Sequence, residues 1–542
     1  MVGRVKIDNY DNRSTYKAYA STGTLVSGDR GTYSDTSTQS KNTYADAIAT
    51  LNKSFNDWSV NVNLGVSLSD SRYEMIGYEG GLKLINFFAV HNIDFNKAWK
   101  AKQSGWHDQT RAIFANAEIG WKSMIYLTAT GRNDWDSRLA FSDYKSFFYP
   151  SIGLSAILTS MFNAPDWLTY LKVRGSYTEV GNSYGRFMTT VTYPYDEQTQ
   201  SWTSTSSYPN TKLKPERTKS WEVGLDARIL NDISLNLTYY RSNTYNQTFY
   251  ADLSLSSGYS NIPIQSGNIM NEGLEMSLGY NKQWKDFSFN TNYTLTWNKN
   301  RVKRLADGVY NYATGQPIQM PELSPLTYGH TDARLILRVG GSMGDVYGQR
   351  LLKRDLNGYI LNEEGVGLAM ENKETYLGSI LPKMNMGWSL GFGYKGVNLG
   401  MTFTGRFGGI VISETQSVLD AAGVSKVSAD VRDAGGVQIN QSKVSAQTYY
   451  QTIQGTAAYY TYSATNVRLG ELSLSYTLPK KWFDNKVGMT VGLVGKNLWM
   501  IYCKAPFDPE LTTSAASNFY QGFDAYMLPS TRNFGFNVKF QF

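Results

Sequence analysis

Hydrophobic and polar residues alternate along much of this chain with a period of two. Between residues 58 and 69 every second residue, beginning with Trp58, is apolar, and the residues between them are Ser, Asn or Gly. An extended strand sends successive side chains to opposite faces, so this segment predicts a strand with one apolar and one polar face. The same pattern recurs at residues 233–239, 287–297, 397–403 and 472–478.

Short polar turns join many of these segments in pairs, as at residues 55–58, 230–233 and 394–397. Two-residue connections between alternating segments predict β-hairpins. Long polar stretches separate the pairs, at about 70–108, 180–217, 300–332 and 408–465. Short turns at one end of the strands and long loops at the other are typical of an outer-membrane β-barrel, whose long loops lie outside the cell.

The number of candidate strands is about 16, with an uncertainty of about two because weak segments near the start and at 333–352 are ambiguous. No linker divides the chain, and no repeat of fixed period emerges. We therefore predict an all-β fold, a transmembrane antiparallel β-barrel, over residues 1–542.

A soluble β-sandwich or propeller also shows alternation, but with shorter strands. The segment from residue 58 to 69 has about a dozen residues, close to the 9 to 11 that a tilted strand needs to cross a bilayer. Aromatic residues recur near predicted strand ends, as interfacial girdles require. Examples are Trp58, Trp221, Trp297 and Trp499.

The final segment keeps the alternation to the last residue. Its apolar positions alternate with Gly535, Asn537, Lys539 and Gln541, which predicts a strand with one apolar face. A chain that ends on Phe within such a strand resembles the C-terminal signal of outer-membrane barrels. The alternative is a soluble protein with an exposed edge strand, an arrangement that invites aggregation. The apolar positions are Phe534, Phe536, Val538, Phe540 and Phe542.

Composition agrees with this interpretation. Charged residues make up 18% and aromatic residues 14%, and the formal net charge of +7 is scattered rather than gathered into a basic arm, so nucleic acid is not an expected partner. The single cysteine, Cys503, rules out an internal disulfide. No stretch approaches the roughly 18 apolar residues of a spanning helix. The first ten residues lack the apolar core of a signal peptide, so we expect the chain to begin inside a longer precursor.

Leu213-Lys214-Pro215-Glu216, followed by Glu222-Val223-Gly224, is similar to a signature that precedes a barrel strand in TonB-dependent receptors. Residues 174–177 with 181–182, and residues 271–275, are similar to neighbouring patterns of that family. Residues 340–348, 467–469 through 476–479, 495–498 and 528–542 resemble its SusC/RagA branch. The order of these motifs over about residues 170 to 542 makes the resemblance specific.

The resemblance implies a 22-stranded barrel in a Gram-negative, Bacteroidetes-like outer membrane. It also implies a plug domain, the TonB–ExbB–ExbD energising complex and a SusD-like surface lipoprotein that captures glycans or peptides. No plug and no TonB-contacting segment is recognised in this sequence, and about 16 strands would leave roughly six to be supplied. We expect an upstream segment or a second chain to provide the plug and the remaining strands, since an open edge in lipid is costly.

Candidate catalytic and metal-binding chemistry is sparse. His91, His107 and His330 lack metal-ligand spacing and fall in loop-like regions. The stretch from Asp355 to Gly358 faintly resembles a calcium loop, but is better explained as a hairpin turn. Glu216 and Glu222 are interpreted as structural residues at a strand start. We therefore expect no enzyme activity, no catalytic residue, no cofactor and no metal.

Ligand-binding residues stay unknown from the sequence. Aromatic residues in the long polar stretches could stack on sugars or peptides, although they could equally fill the loops. These residues are Trp202, Tyr449, Tyr450, Tyr459, Tyr460 and Tyr462.

The leading hypothesis is a barrel that imports nutrients, with outer-membrane lipid around it. One alternative is a passive porin, because a closed barrel of 16 strands is physically allowed. The other is a soluble or surface-attached β-rich binding protein, which predicts extraction without detergent.

Overall fold

The computed structural model describes residues 1–20, 29–96, 99–196, 201–203, 205–265, 267–305, 315–316, 322–363, 367–511, 513 and 518–542. The chain divides into two compact units, which we describe separately. Unit 1 comprises Met1–Leu154, Ser176–Lys219 and Asn246–Gln265. Unit 2 comprises Ser155–Gly175, Ser220–Tyr245 and Ser266–Phe542. That residues 1–542 form a single barrel domain stays a prediction.

Strands dominate the described chain, so the all-β prediction is confirmed. Strands β1 to β15 span Val2–Ala18, Thr32–Phe55, Trp58–Gly81, Trp99–Trp121, Ile125–Asp136, Phe147–Ile157, Leu168–Asn182, Tyr195–Asp196, Ser201–Trp202, Glu216–Ile229, Ile233–Tyr245, Thr248–Asp252, Asn261–Gln265, Asn268–Trp284 and Phe287–Arg304. Strands β16 to β31 span Glu322–Thr327, Arg334–Arg338, Asp345–Leu352, Asn362–Glu363, Gly367–Leu368, Met370–Ser379, Met384–Tyr394, Val397–Phe407, Ile410–Ser413, Val437–Ile439, Ser442–Val444, Thr461–Ser463, Asn466–Leu478, Gly488–Cys503, Phe523–Asp524 and Asn533–Gln541. Helices α1 to α4 span Leu158–Met161, Glu414–Ala421, Lys426–Asp433 and Ala446–Ile453.

The largest sheet in the described residues has sixteen strands. In unit 1, β1 to β5 follow one another as antiparallel neighbours. In unit 2, the antiparallel order is β11, β14, β15, β22, β23, β28, β29 and β31. Some consecutive members are joined by short hairpin turns, as β14 and β15 are, and others by long connections, as β15 and β22 are, so strands close in order along the chain are neighbours in space.

The predicted hairpin turns are confirmed. Residues 56–57 connect β2 to β3, and Phe55 lies directly opposite Trp58. Residues 395–396 connect β22 to β23 in the same way. Asn56 has a φ of 51° and Gly396 a φ of 88°. Tight hairpin turns require a left-handed backbone, which Asn and Gly adopt at little cost.

The prediction of a long loop at residues 70–108 is wrong for most of that segment. Strand β3 continues to Gly81 and β4 begins at Trp99, with Gly80 paired to Trp99. After Leu68 the face of β3 that was apolar carries Asp70, Arg72 and Glu74. This change gives the segment the composition of a loop. It marks the end of the apolar band, and the backbone hydrogen bonding of the strand continues beyond it.

The other long polar stretches contain structure of their own. Residues 408–465 hold β24, β25, β26, β27 and helices α2 to α4, while β8 and β9 lie within 180–217. The stretch 300–332 lies partly outside the described residues. The ambiguous segment 333–352 contains β17 and β18, which form a four-stranded sheet with β16 and β21. No helix in the described part of the chain is long and apolar enough to span a membrane.

Buried cores lie mainly in these connections. One cluster in unit 2, which we call the tyrosine core, contains Leu352, Leu368, Ile439, Tyr450, Ile453 and Tyr460. The apolar face of β3, by contrast, is exposed at Leu64 and Val66. Strand β31 is exposed throughout its length. The sheet therefore leaves its large apolar side chains uncovered by protein.

Candidate functional site

A pocket of about 650 Å³ with both polar and apolar lining residues lies in unit 2, at the end of β15 that is far from its short turn. We call it the β15 pocket. It is lined by residues from 297–301, 340–345, 376–383 and 408–410. Asparagine amides, serine hydroxyls, a carboxylate and the cations of Lys299, Arg301 and Lys383 contribute to the lining. Such a mixture suits a polar ligand that both donates and accepts hydrogen bonds.

Asn300 fastens the turn at residues 340–345 to the sheet. Its Oδ1 accepts a hydrogen bond of 2.7 Å from the backbone N–H of Met343, and its Nδ2 donates to Asn271 Oδ1 at 2.9 Å. The backbone of Val302 also accepts from Gly340 N–H and donates to the Gly341 carbonyl, each at 2.8 Å. These bonds fix one wall of the pocket to β14 and β15.

Asp345 is buried at the base of this turn. Its carboxylate accepts from Ser342 N–H at 2.8 Å and from the Tyr376 hydroxyl at 3.2 Å. Burial raises the pKa of Asp345 above its ordinary value, because the two hydrogen bonds only partly offset the cost of removing the carboxylate from water. The same burial, together with the neighbouring Asp345, raises the pKa of Tyr376 to about 12.

Two glycines keep the pocket wall close-packed. A Cβ at position 341 would lie 2.6 Å from Asp345 Oδ2. Gly378 has a φ of 133°, and a Cβ there would lie 2.8 Å from Ile410 Cγ2. Any other residue would clash or strain the backbone at these positions. Residues 340–348 were singled out in the sequence only as a family motif, and its glycines were the signal for this close approach.

The small sheet beside the pocket is held by ion pairs. Arg338 on β17 reaches Glu322 and Glu374, each at 2.6 Å, and its guanidinium lies 4.5 Å from the ring centroid of Tyr347. Hydrogen bonds from Glu374 and then Glu322 raise the pKa of Arg338. The charge of Arg338 is therefore fixed, and it links three strands of the sheet.

The five tyrosines proposed as ligand contacts lie in or against the tyrosine core. Tyr450 and Tyr460 are 7% and 3% exposed. Tyr459 accepts a hydrogen bond of 3.2 Å from Leu352 N–H, and Tyr462 packs edge-on against Phe507 with centroids 5.6 Å apart. This placement favours the interpretation that they fill the connection, while a ligand role for them stays a prediction.

Trp202 has a different setting, in unit 1. It is 69% exposed and packs edge-on against Tyr195 across the β8–β9 pair, with centroids 5.1 Å apart. Tyr195 is also exposed. An exposed aromatic pair of this kind offers faces on which a sugar or a peptide side chain could stack.

The histidines are dispersed. The expectation that all three lie in loops is wrong for His107, which lies within β4 and contacts Asp70 at 2.7 Å. His91 packs against Phe87, and the backbone N–H of His330 donates to Glu414. The described residues include no group of three His, Cys, Asp or Glu side chains placed to hold a metal ion.

The remaining acidic candidates have structural surroundings. The Asp355 carboxylate accepts from the backbone N–H groups of Asn357 and Tyr359 at 2.9 and 2.8 Å, which confirms the predicted turn. Glu216 is the first residue of β10, as expected, whereas Glu222 lies inside that strand. Both lie within residues 213–224, the segment of the LKPE motif.

Arg468 makes an ion pair that the sequence did not reveal. Its two Nη atoms donate to the two carboxylate oxygens of Asp508 at 2.9 and 2.8 Å, and both side chains are about nine-tenths buried. Burial acts to raise the pKa of Asp508, but the hydrogen bonds from Arg468 outweigh it and hold the pKa below its usual value. This fork fastens the connection after β29 to β28.

Relatives with curated names are TonB-dependent receptors. TonB-dependent receptor P3 of Formosa agariphila is 24% identical over 544 residues, which cover 92% of this chain and 52% of that protein. TonB-dependent receptor SusC of Bacteroides thetaiotaomicron is 25% identical over 243 residues, 44% of this chain and 22% of that protein. The chain spans about half the length of the curated relatives that align with nine-tenths of it.

A similar fold occurs in solved structures of the RagAB peptide importer. In its open-open state the TM-score is 0.76 at 18% identity, with 99% of this chain and 58% of that chain covered. In its closed-closed state the TM-score is 0.75, also at 18% identity, with 99% and 59% covered. The family model described as TonB dependent receptor-like, beta-barrel, matches residues 4–498. The chain therefore belongs to the TonB-dependent receptor β-barrel family.

Proposed function

We propose that this chain is the C-terminal part of the barrel wall of a nutrient importer in the outer membrane of a Gram-negative, Bacteroidetes-like bacterium. The observation that carries the proposal is the family match over residues 4–498. The exposed apolar face of β3 supports it, because about ten alternating residues can cross the hydrocarbon layer as a tilted strand. Transport through such a wall breaks no covalent bond.

The partners follow from the same proposal. A SusD-like lipoprotein delivers the nutrient from outside, and the TonB–ExbB–ExbD complex supplies energy through a plug. The plug and the remaining strands come from an upstream segment or a second chain. This division agrees with a chain that spans about half of its curated relatives.

The substrates are oligosaccharides or peptides, and the β15 pocket contributes contacts to them. Its asparagine, serine and cationic side chains can bind hydroxyl groups, carbonyl groups and carboxylates. Lys383 is the lining residue best suited to a test. Its ammonium group is the part that substitution by Gln removes, while the side chain keeps a similar length.

The test uses the complete protein in its native membrane. Cells with and without the gene, and cells with the gene but without TonB, are given fluorescent oligosaccharide and peptide mixtures. Import requires both the gene and TonB. Uptake that depends on the gene but persists without TonB would instead identify a passive porin, and release of the protein from cells without detergent would identify a soluble binding protein.

The pocket is tested separately with Lys383→Gln. We expect uptake of the substrate to fall several-fold, as loss of one hydrogen bond to a charged group predicts. Lys481→Gln, at an exposed lysine beyond β28, is the matched control and should leave uptake unchanged. Equal uptake by both variants would remove the pocket from the proposal and leave the importer intact.

A further inference from the structure

A groove of about 790 Å³ runs along the apolar face of unit 1. We call it the alanine groove. Its floor is formed by Ala45 and Ala47 on β2, and its walls by larger side chains of β3, β4 and β5. The wall residues are Val66, Leu68, Ile113 and Trp135.

The register of the strands explains this depression. Ala47 lies opposite Val66, which lies opposite Ile113, so these three side chains form one row across the apolar face. Ala45, Leu68, Arg111 and Trp135 form the next row. Directly paired residues share a face and have Cβ atoms about 5 Å apart. Two alanines beside larger neighbours leave room there for one chain of methylene groups.

One end of the groove lies at the edge of the apolar band. Leu68 follows Trp58 by ten residues. At about 3.3 Å per residue and a tilt of roughly 40°, these residues rise about 25 Å, the height of the apolar band in outer-membrane barrels. Trp58 packs against Trp121 at the lower edge, with ring centroids 6.5 Å apart. Leu68, Arg111 and Trp135 therefore lie at the upper edge, the level of lipid headgroups.

A charged cluster continues from the groove on the same face. Arg111 Nε donates to Gln109 at 3.0 Å, and Gln109 donates to Asp70 at 3.2 Å. Arg72 Nε and His107 Nε2 contact the same carboxylate at 3.3 and 2.7 Å. Both arginines use Nε in these bonds, and their Nη atoms make no hydrogen bond to other described residues. Asp70 thus holds the cations in place while the Nη atoms of both arginines remain able to donate hydrogen bonds to a ligand.

Charge at this level favours an anion. Lys41 on β2 pairs with Arg72 across the strands, so it shares the face and adds a third cation beside Arg72 and Arg111. The acidic residues of the same face near this level are Asp70, already bonded, and Glu74 and Asp11, which lie in the row beyond Arg72 and Lys41. Guanidinium groups match the geometry of phosphate oxygens, and basic clusters at a membrane boundary bind lipid headgroups.

We propose that the alanine groove and its charged cluster bind an acylated membrane lipid whose phosphate headgroup carries a net negative charge. One acyl chain lies along Ala45 and Ala47, and the phosphate accepts hydrogen bonds from Arg111 and Arg72. The site rests on the membrane location in the proposed function, but not on transport. A soluble protein is disfavoured as the occupant because the groove lies within the height of the hydrocarbon layer.

The experiment is native mass spectrometry of the complete protein in nonionic detergent. Dioleoylphosphatidic acid and dioleoylphosphatidylcholine are offered at equal concentration. We expect retention of phosphatidic acid to exceed that of phosphatidylcholine by about tenfold, as one or two charge-assisted bonds predict. Arg111→Gln should remove this preference, and Ala47→Leu, which fills the groove, should lower retention of both lipids.

Lys53→Gln is the matched control, since Lys53 shares the apolar face of β2 near the opposite end of the strand. It should leave lipid retention unchanged, and heat-dependent gel migration verifies that each variant is folded. Equal retention of the two lipids, or equal losses in Arg111→Gln and Lys53→Gln, would overturn the site. Displacement of the lipid by inorganic phosphate alone would also overturn it. Uptake measurements are independent of these outcomes, so the proposed import can fail or hold separately.

Discussion

The apolar face of β3 and the tyrosine core place large side chains in opposite surroundings. Leu64 and Val66 on β3 are 57% and 51% exposed, whereas Tyr460 and Ile453 in the tyrosine core are each 3% exposed. Both regions use similar apolar residues. The proposed membrane location accounts for the difference, because hydrocarbon would then contact the sheet and water the connection at residues 408–465.

Polar residues show the same reversal. The face of β3 opposite Leu64 carries Asn61 and Asn63, and these bond to each other at 2.8 Å. In the connection, some buried polar groups are closely paired, such as Ser413 with Asp524 at 2.6 Å, whereas the buried hydroxyls of Thr456 and Tyr460 have no hydrogen-bond partner among the described residues. The same kind of substitution should therefore have different consequences in the two regions.

The largest effect should follow removal of an aromatic ring from the tyrosine core. Tyr460→Ala should lower the free energy of unfolding of the connection by about 3–5 kcal/mol, because the cavity cannot fill completely. Pulse proteolysis across a urea series measures this loss. Tyr359→Ala, at an exposed tyrosine of the same unit, should cost less than about 0.5 kcal/mol. Similar losses would mean that the tyrosines are not a core.

A charge on the apolar face should cost somewhat less. Leu64 lies near the middle of the apolar band, so Leu64→Arg should destabilise the barrel by about 2–4 kcal/mol in lipid vesicles. Urea unfolding monitored by tryptophan fluorescence measures this change. Asn63→Arg, one residue away on the polar face, should cost much less. If both substitutions cost the same, β3 does not separate lipid from water.

Removing a single tyrosine hydroxyl group should change stability less, and the sign of the change should differ between an unpaired and a hydrogen-bonded hydroxyl. The Tyr460 hydroxyl is buried and has no hydrogen-bond partner among the described residues. Tyr460→Phe should therefore leave stability unchanged or raise it by up to about 1 kcal/mol. Tyr328 donates to the Phe519 carbonyl at 2.7 Å, so Tyr328→Phe should lose about 1 kcal/mol. If pulse proteolysis gave equal changes in the free energy of unfolding for the two variants, the Tyr460 hydroxyl would not be unpaired.

The smallest effect should be a pH dependence in the β15 pocket. The pKa of Asp345 is raised in the fold, so its protonated form is favoured there relative to the unfolded chain. The stability that protonated Asp345 contributes to the fold is fully present below the pKa of the unfolded chain. This stability is lost as the pH rises through the pKa of the folded protein. The free energy of unfolding, measured by pulse proteolysis, should therefore fall over this range. Asp345→Asn should remove that fall, and a fall that persists would contradict the assignment.

Much of the sheet follows from the sequence because lipid imposes a simple rule. The alternation from Trp58 onward and the turn at residues 56–57 predicted β3 and its hairpin with β2. The same rule failed beyond Leu68, where Asp70 and Arg72 replaced apolar residues on the same face. Backbone pairing with β4 continues there in water, and composition does not report it.

The candidate sites were less predictable because their residues are distant in sequence. Asn300 and Met343 meet in the β15 pocket across 43 positions, and Arg468 meets Asp508 across 40. Nothing in the local pattern links such partners. The tyrosines at 449–462 were named from the sequence either as possible ligand contacts or as residues that fill the loop, because aromatic composition alone does not distinguish a buried cluster from an exposed binding face.

The continuation of β3 to Gly81 has a mechanical consequence. Paired strands of this length form a stiff ribbon, so the segment between β3 and β4 is carried at a nearly fixed distance from the apolar band. A flexible loop of equal length would sample a much larger volume. A molecule already attached nearby would therefore meet this segment at a higher effective concentration than a flexible loop would provide.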